Sequence, residues 1–299
     1  MPTHLVVKDL SIDFESTLGT SKAVDAISFT LEKGETLGIV GESGSGKSVT
    51  ALAILDLLAD NAKVSGLINM NRGEADAVTE QKPILRGKEV AMIFQEPMTA
   101  LNPVLRCGEQ ILEVIVRHQN ISKESARKEV KELLRQVQLT DVDRIYRAYP
   151  HQLSGGQKQR IVIAIALAAK PFILLADEPT TALDVTVQKE ILTLLNQLKA
   201  SYQLSIIFIS HDLGVIKQMA DRVAVMQKGK IVELGAIQQV FTSPQHAYTK
   251  GLLACRPSQN MHLEKLPTLD KMDISAMKRK EVDKRKAYLA TQPLSLIHI

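Results

Sequence analysis

The sequence predicts an α/β fold: a mainly parallel core sheet covered by helices, with an antiparallel β subdomain and an inserted helical subdomain. Three observations predict it. Short apolar runs at Thr36–Val40, Ile173–Ala176 and Ser205–Ser210 suit strands buried on both faces. Segments of helical length and pattern alternate with them, at Val49–Leu58, Gly155–Ala169, Thr186–Ser201 and Leu213–Met219. Between these strand regions, Gly108–Val137 is helical by periodicity and charge pattern, which marks an insertion.

Taken in order, Leu5–Phe14 and Ala26–Leu31 carry apolar residues between turn signals and form the antiparallel entry strands. Glu32-Lys33-Gly34-Glu35 turns the chain into the strand Thr36–Val40. Val90–Phe94 is a further strand, leading to Gln95. Ser154 caps the helix from Gly155, and Pro171 stops it. Arg222–Leu234 forms two strands about Lys228-Gly229. Beyond Ser243-Pro244 the pattern weakens, with Pro257, Pro267 and Pro293 interrupting a charged tail. Residues 1–243 are therefore expected to make one domain, with the helical subdomain at about 104–165, and 244–299 an extension.

With 299 residues, 45% of them hydrophobic, the chain can bury a core of ordinary size. Of the net charge of +4, all is accounted for by Lys278–Lys286, which holds six basic and two acidic residues. The body is thus nearly neutral, which argues against nucleic acid as a partner. The tail stretch reads as a solvated charged helix, or as a patch for anionic lipid. Cys107 and Cys255 are too few for a disulfide framework and are expected to be small buried residues of a chain in a reducing compartment. Met1–Leu10 lacks the pattern of a secretory leader, and the longest apolar run, Ile161–Ala169, is nine residues against the roughly 20 that cross a bilayer. Any membrane role is therefore expected to act through a partner.

The chemistry starts at Gly41-Glu42-Ser43-Gly44-Ser45-Gly46-Lys47-Ser48, which matches G-x-x-x-x-G-K-[ST] between a strand and a helix. Glycines let backbone N–H groups curl around phosphates, and the helix start directs its positive dipole end at them. Lys47 then reaches the terminal phosphates and Ser48 offers a hydroxyl to Mg²⁺. A flexible serine-glycine turn would not account for the apolar strand ahead of the loop. At the end of Ile173–Ala176 stand Asp177 and Glu178, where open α/β sheets bind ligands. Asp177 is predicted to hold the magnesium shell, and Glu178 to orient and deprotonate the attacking water.

Ser210, His211 and Asp212 are consecutive, so an extended chain points them to alternating sides and they make no hydrolase triad. His211 is expected to contact the γ-phosphate instead. Leu153-Ser154-Gly155-Gly156-Gln157 precedes a helix whose first amides are unpaired, a second anion site. Two phosphate sites and one nucleotide are consistent with two chains meeting head to tail.

These motifs, in this order, resemble the ATP-binding cassette (ABC) ATPases over about Leu5–Leu253, a P-loop NTPase fold. By that resemblance the Walker A loop is Gly41–Ser48, Gln95 is the Q-loop residue and a ligand of the metal, and Leu153–Gln157 is the signature. Asp177 ends the Walker B strand, and Glu178 is the catalytic base. Ala182-Leu183-Asp184 is similar to the D-loop and His211 to the switch histidine, while Phe14 is the candidate to stack on adenine. Gln95–Pro103 resembles the dipeptide, oligopeptide and nickel importer branch, as does Pro244–Thr249 followed by Gly251-Leu252-Leu253, with Ala247 where the family usually has proline. Some relatives carry an iron–sulfur cysteine cluster in this tail; with Cys255 alone none is expected.

The resemblance implies ATP and Mg²⁺ as cofactors, hydrolysis coupled to transport, and a place on the cytoplasmic face of the cell membrane. It implies a second cassette, identical or different, transmembrane permease subunits and, indirectly, an extracytoplasmic solute-binding protein as partners. An exporter motor and a soluble cassette ATPase acting on nucleic acid are the alternatives. The helical block between Lys47 and Asp177 is compact, not a long coiled coil, which disfavours the latter. The apolar run Gln292–Ile299 is expected to reflect truncation, non-native residues or the start of a second cassette.

Overall fold

The computed structural model describes residues 3–17, 19–71, 84–181 and 183–254. Elements in chain order are β1 (Thr3–Ser16), β2 (Gly19–Glu32), β3 (Thr36–Val40), α1 (Lys47–Ile54), β4 (Ala62–Met70) and β5 (Val90–Ile93). The helices α2 (Pro97–Ala100), α3 (Cys107–His118), α4 (Lys123–Gln136) and α5 (Val142–Arg147) follow, then a 3₁₀ turn (Pro150–Gln152) and α6 (Gly155–Leu167). The chain continues through β6 (Ile173–Asp177), α7 (Val185–Tyr202), β7 (Ser205–Ser210), α8 (Leu213–Met219), β8 (Arg222–Gln227), β9 (Lys230–Ala236), α9 (Ile237–Thr242) and α10 (Ala247–Ala254). The described residues up to 237 form one compact unit and those from 238 to 254 belong to a second.

The core sheet has the order β5-β6-β7-β3-β8-β9. Every residue of β3, β6 and β7 is buried, as expected of strands covered on both faces, and their pairing is parallel. Only β9 runs antiparallel, against β8. The register brings four strand ends level. Ile93 lies opposite Ala176, Asp177 opposite Ile209, and Val40 opposite Ser210. The loops that leave β5, β6, β7 and β3 therefore emerge along one edge of the sheet.

A second sheet, β2-β1-β4, is antiparallel throughout. Leu5, Leu10, Ile12, Ile27 and Leu31 from it join Leu37, Ile39, Ile54 and Ile207 in one buried cluster. The sequence reading has no strand at Ala62–Met70. Most of β4 is exposed or half-buried, so it shows little apolar alternation, and pairing with β1 is what makes it a strand.

The helical insertion is held by polar side chains reaching backbone. Gln119 Nε2 donates to Ala168 O at 2.8 Å, and Arg160, nearly buried, donates to Val137 O at 3.1 Å and pairs with Glu190 at 3.0 Å. Local caps set the helix starts: Ser122 accepts from Ser125 N, and Asp141 from Arg144 N. Cys107 is fully buried, as expected, and burial pushes its thiol up to about 11. Cys255, Lys278–Lys286 and Gln292–Ile299 lie outside the described residues. In the second unit α9 ends at Thr242, ahead of Ser243-Pro244, and α10 begins at Ala247. Among the described residues no helix is long and apolar enough to cross a membrane.

Ile207 is fully buried on β7, with β3 and β6 on either side. Ile207→Ala is expected to cost about 2–5 kcal/mol by urea unfolding with an unchanged m-value. A loss below about 1 kcal/mol would show that β7 is not part of a tightly packed interior.

Candidate active site

Strand β3 delivers Gly41 into the glycine loop, and the loop runs directly into α1. A Cβ on Gly41 would stand 2.2 Å from Met226 O and 2.7 Å from Ser45 Oγ, so no other residue fits without moving backbone. Gly46 sits at φ 99°, in the left-handed region that favours glycine, and serves as N-cap of α1. Gly229 N donates to Ser45 O at 3.2 Å, tying the loop to the β8–β9 turn.

Lys47 is buried, and its ammonium donates to Gly41 O at 2.9 Å and to Glu42 O at 2.8 Å, with Ser45 Oγ at 3.5 Å. Burial lowers its pKa, opposed by the nearby carboxylates of Glu178, Asp177 and Glu42. Asp177 is 5% exposed. Burial raises its pKa, and the Glu178 charge adds to this, whereas a hydrogen bond from Ser48 and the Lys47 charge oppose it. Asp177 Oδ1 is buried with no hydrogen-bond partner. A buried, unsatisfied carboxylate oxygen beside a serine hydroxyl is costly unless something cationic or donating completes it.

Glu178 lies one residue past β6 at φ 46°, an uncommon backbone state for a residue with a side chain. Its N–H is held by Ile209 O at 3.0 Å. Three groups converge on its Oε2: His211 Nδ1 at 2.9 Å, Gln95 Nε2 at 3.3 Å and Thr181 Oγ1 at 2.9 Å. The structure thus brings together Lys47, Ser48, Asp177, Glu178, Gln95 and His211, from the ends of four neighbouring strands. Thr181 was not foreseen, and its position three residues past Glu178 is the only signal that could have pointed to it.

Ser154, Gly155, Gly156 and Gln157 open α6, and their side-chain hydrogen bonds are with one another. Ser154 Oγ accepts from Gln157 N at 3.3 Å while Gln157 Oε1 accepts from Ser154 N at 3.1 Å, a capping box. Ser154 is exposed. This helix start packs on the segment after Glu178: a Cβ on Gly155 would be 3.6 Å from Leu183 Cδ2, and one on Gly156 would be 2.8 Å from Val187 Cγ1. Asp184 caps α7, accepting from Val187 N at 2.9 Å. Phe14, on β1 opposite Ser21 and Ala62, is half-buried against the core cluster.

Two family profiles match the chain, "ABC transporter" over residues 24–181 and "Oligopeptide/dipeptide transporter, C-terminal region" over residues 232–284. The oligopeptide transport ATP-binding protein OppD of Bacillus subtilis is 49% identical over 257 residues, 85% of this chain and 72% of that protein. The peptidoglycan transport ATP-binding protein YejF of Agrobacterium fabrum is 52% identical over 256 residues, and the glutathione import ATP-binding protein GsiA of Escherichia coli 49% over 264. The chain spans 47% and 42% of their lengths, respectively. Among solved structures, the ATP-binding cassette MJ0796 bound to ADP and Pi superposes with a TM-score of 0.66 at 26% identity, over 78% of this chain and 98% of that one. The cbiO1 subunit of Clostridium perfringens, part of the cbiONQ ABC transporter complex, gives 0.66 at 25% over 81% of this chain and 92% of its own. By these family profiles and by its 49% identity to OppD over 72% of that protein, the chain belongs to the ABC transporter ATP-binding protein family, in the branch that carries the oligopeptide/dipeptide C-terminal region.

Proposed function

We propose that this chain is the ATP-hydrolysing subunit of an importer for di- or oligopeptides or nickel, acting from the cytoplasmic face of the cell membrane. The observation that carries the hydrolytic reading is the placement of Glu178, beside Asp177 and the Lys47 cradle, at the edge where four strands end. The matching C-terminal region and the names of the relatives support the peptide branch.

In this reading the ammonium of Lys47 exchanges its contacts with Gly41 O and Glu42 O for phosphate oxygens, and the amides of residues 42–48 close around them. Ser48 and Asp177 suit a magnesium ion, because Asp177 Oδ1 is buried without a partner and the Ser48 hydroxyl adjoins it. Gln95 would be a further ligand. A magnesium ion that keeps waters and phosphate oxygens among its ligands needs few protein groups. Bound there, it would neutralise charge on the phosphates.

Glu178 takes a proton from water as the water oxygen bonds to the γ-phosphorus, and the bond to the bridging oxygen breaks with its electron pair leaving on ADP. His211, already beside Glu178, faces the γ-phosphate. Phe14 stacks on adenine. The Ser154–Gln157 segment, exposed at Ser154 and Gly155, serves the nucleotide of a second cassette, and Asp184 lies at that junction. ATP then favours the closed pair by contacts that the open pair lacks, and closure moves the helical subdomain against permease subunits. A solute-binding protein would deliver cargo from outside.

Lys47→Ala is expected to weaken ATP binding at least about tenfold in calorimetry. Glu178→Gln should keep that affinity, lower turnover by roughly 10²–10⁴-fold and accumulate an ATP-bound dimer; normal hydrolysis by this variant would remove Glu178 from its role. Ser154→Arg should abolish ATP-driven dimerisation on gel filtration, so an unaltered dimer would exclude a shared site.

A further inference from the structure

We propose that Thr181 is a positioning residue for the hydrolytic step, setting which oxygen of Glu178 receives the proton; the inference rests on the reading of Glu178 as base. Thr181 grips Glu178 at two points. Its N–H donates to Glu178 O at 3.1 Å, and its hydroxyl donates to Glu178 Oε2 at 2.9 Å. Backbone and carboxylate are thereby held in one closed loop, around a residue at φ 46°. A conformation so sparsely populated persists where neighbouring contacts over-determine it.

Of the three groups on Oε2, Thr181 is the one built to stay. His211 has a side chain 61% exposed and Gln95 is exposed, at a slightly long 3.3 Å. Both reach Glu178 from other strands. Thr181 is half-buried, three residues away, with its χ1 restricted by the branch at Cβ. With Oε2 crowded by three partners, Oε1 is left to accept the proton as the water's O–H bond breaks and its oxygen bonds to phosphorus. The same turn leads within two residues to Leu183, which lies under Gly155 of the signature helix, and then to Asp184. Thr181 therefore also connects the orientation of the base to the segment proposed to meet a second cassette.

The test uses the full chain with magnesium-ATP. Thr181→Val, close in shape and without the hydroxyl, is expected to lower kcat about tenfold, with KM and calorimetric ATP affinity within about twofold of wild type. Thr181→Ser should recover most of the rate, since the hydroxyl returns. In single turnovers, Thr181→Val added to Glu178→Gln should cause no further loss, because both act through one carboxylate. Wild-type kcat in Thr181→Val, equal defects in the Val and Ser variants, or losses that multiply in the double variant would each overturn the proposal. Should Glu178→Gln hydrolyse ATP normally, the base reading falls and takes this inference with it; a dead Glu178→Gln beside a fully active Thr181→Val removes the inference only.

Discussion

Everything at the site depends on the parallel register of β5, β6, β7 and β3. These strands end within one residue of one another, with Ile93 opposite Ala176, Asp177 opposite Ile209 and Val40 opposite Ser210. Because the side-chain period of a strand is two, a slip of one residue would turn Asp177 to the other face and carry Glu178 away from His211. What prevents the slip is burial on both faces: β3, β6 and β7 have no exposed residue, and Leu37, Ile39, Leu175, Ile207 and Ile209 share one apolar cluster. The site is thus positioned by hydrophobic packing, and its polar groups inherit their placement.

Within that frame the charges are arranged with some tension. Lys47 and Asp177 are both buried, and in each case burial opposes the charged form. Lys47 offsets this by donating to loop carbonyls, whereas Asp177 keeps a buried oxygen without a partner. An ammonium parked on backbone oxygens and a carboxylate short of one contact are what a site for a polyanion with its cation requires. Under the proposed function, binding would exchange weak or missing contacts for charge-assisted ones.

Glu178 shows the opposite arrangement. Its Oε2 is bonded from Gln95, Thr181 and His211, which stand on three separate segments. The residue is consequently sensitive to movement in any of them. A carboxylate tied in this way reports the state of its surroundings, and under the proposed function this would be a physical basis for coupling hydrolysis to rearrangement elsewhere.

Much of the candidate site was legible in the sequence because its signals are local. G-x-x-x-x-G-K-[ST] between strand and helix, an Asp-Glu pair after an apolar strand, and Ser154 three residues ahead of Gln157 each depend on neighbours in the chain. The strands β3 and β7 and the helix α8 likewise have the limits that their apolar runs predict. Other features depend on partners far along the chain and left little local trace. Strand β4, largely exposed, exists through its pairing with β1, and the junction of Gly156 with Val187 arises only once α6 and α7 are packed. The bonds from Gln95 and His211 to Glu178 belong to the same class: the sequence by itself determined which side chains are candidates for the site, but only the tertiary structure decided that these two share one oxygen, since that follows from the register of strands that bring together residues 83 and 33 positions apart in the chain.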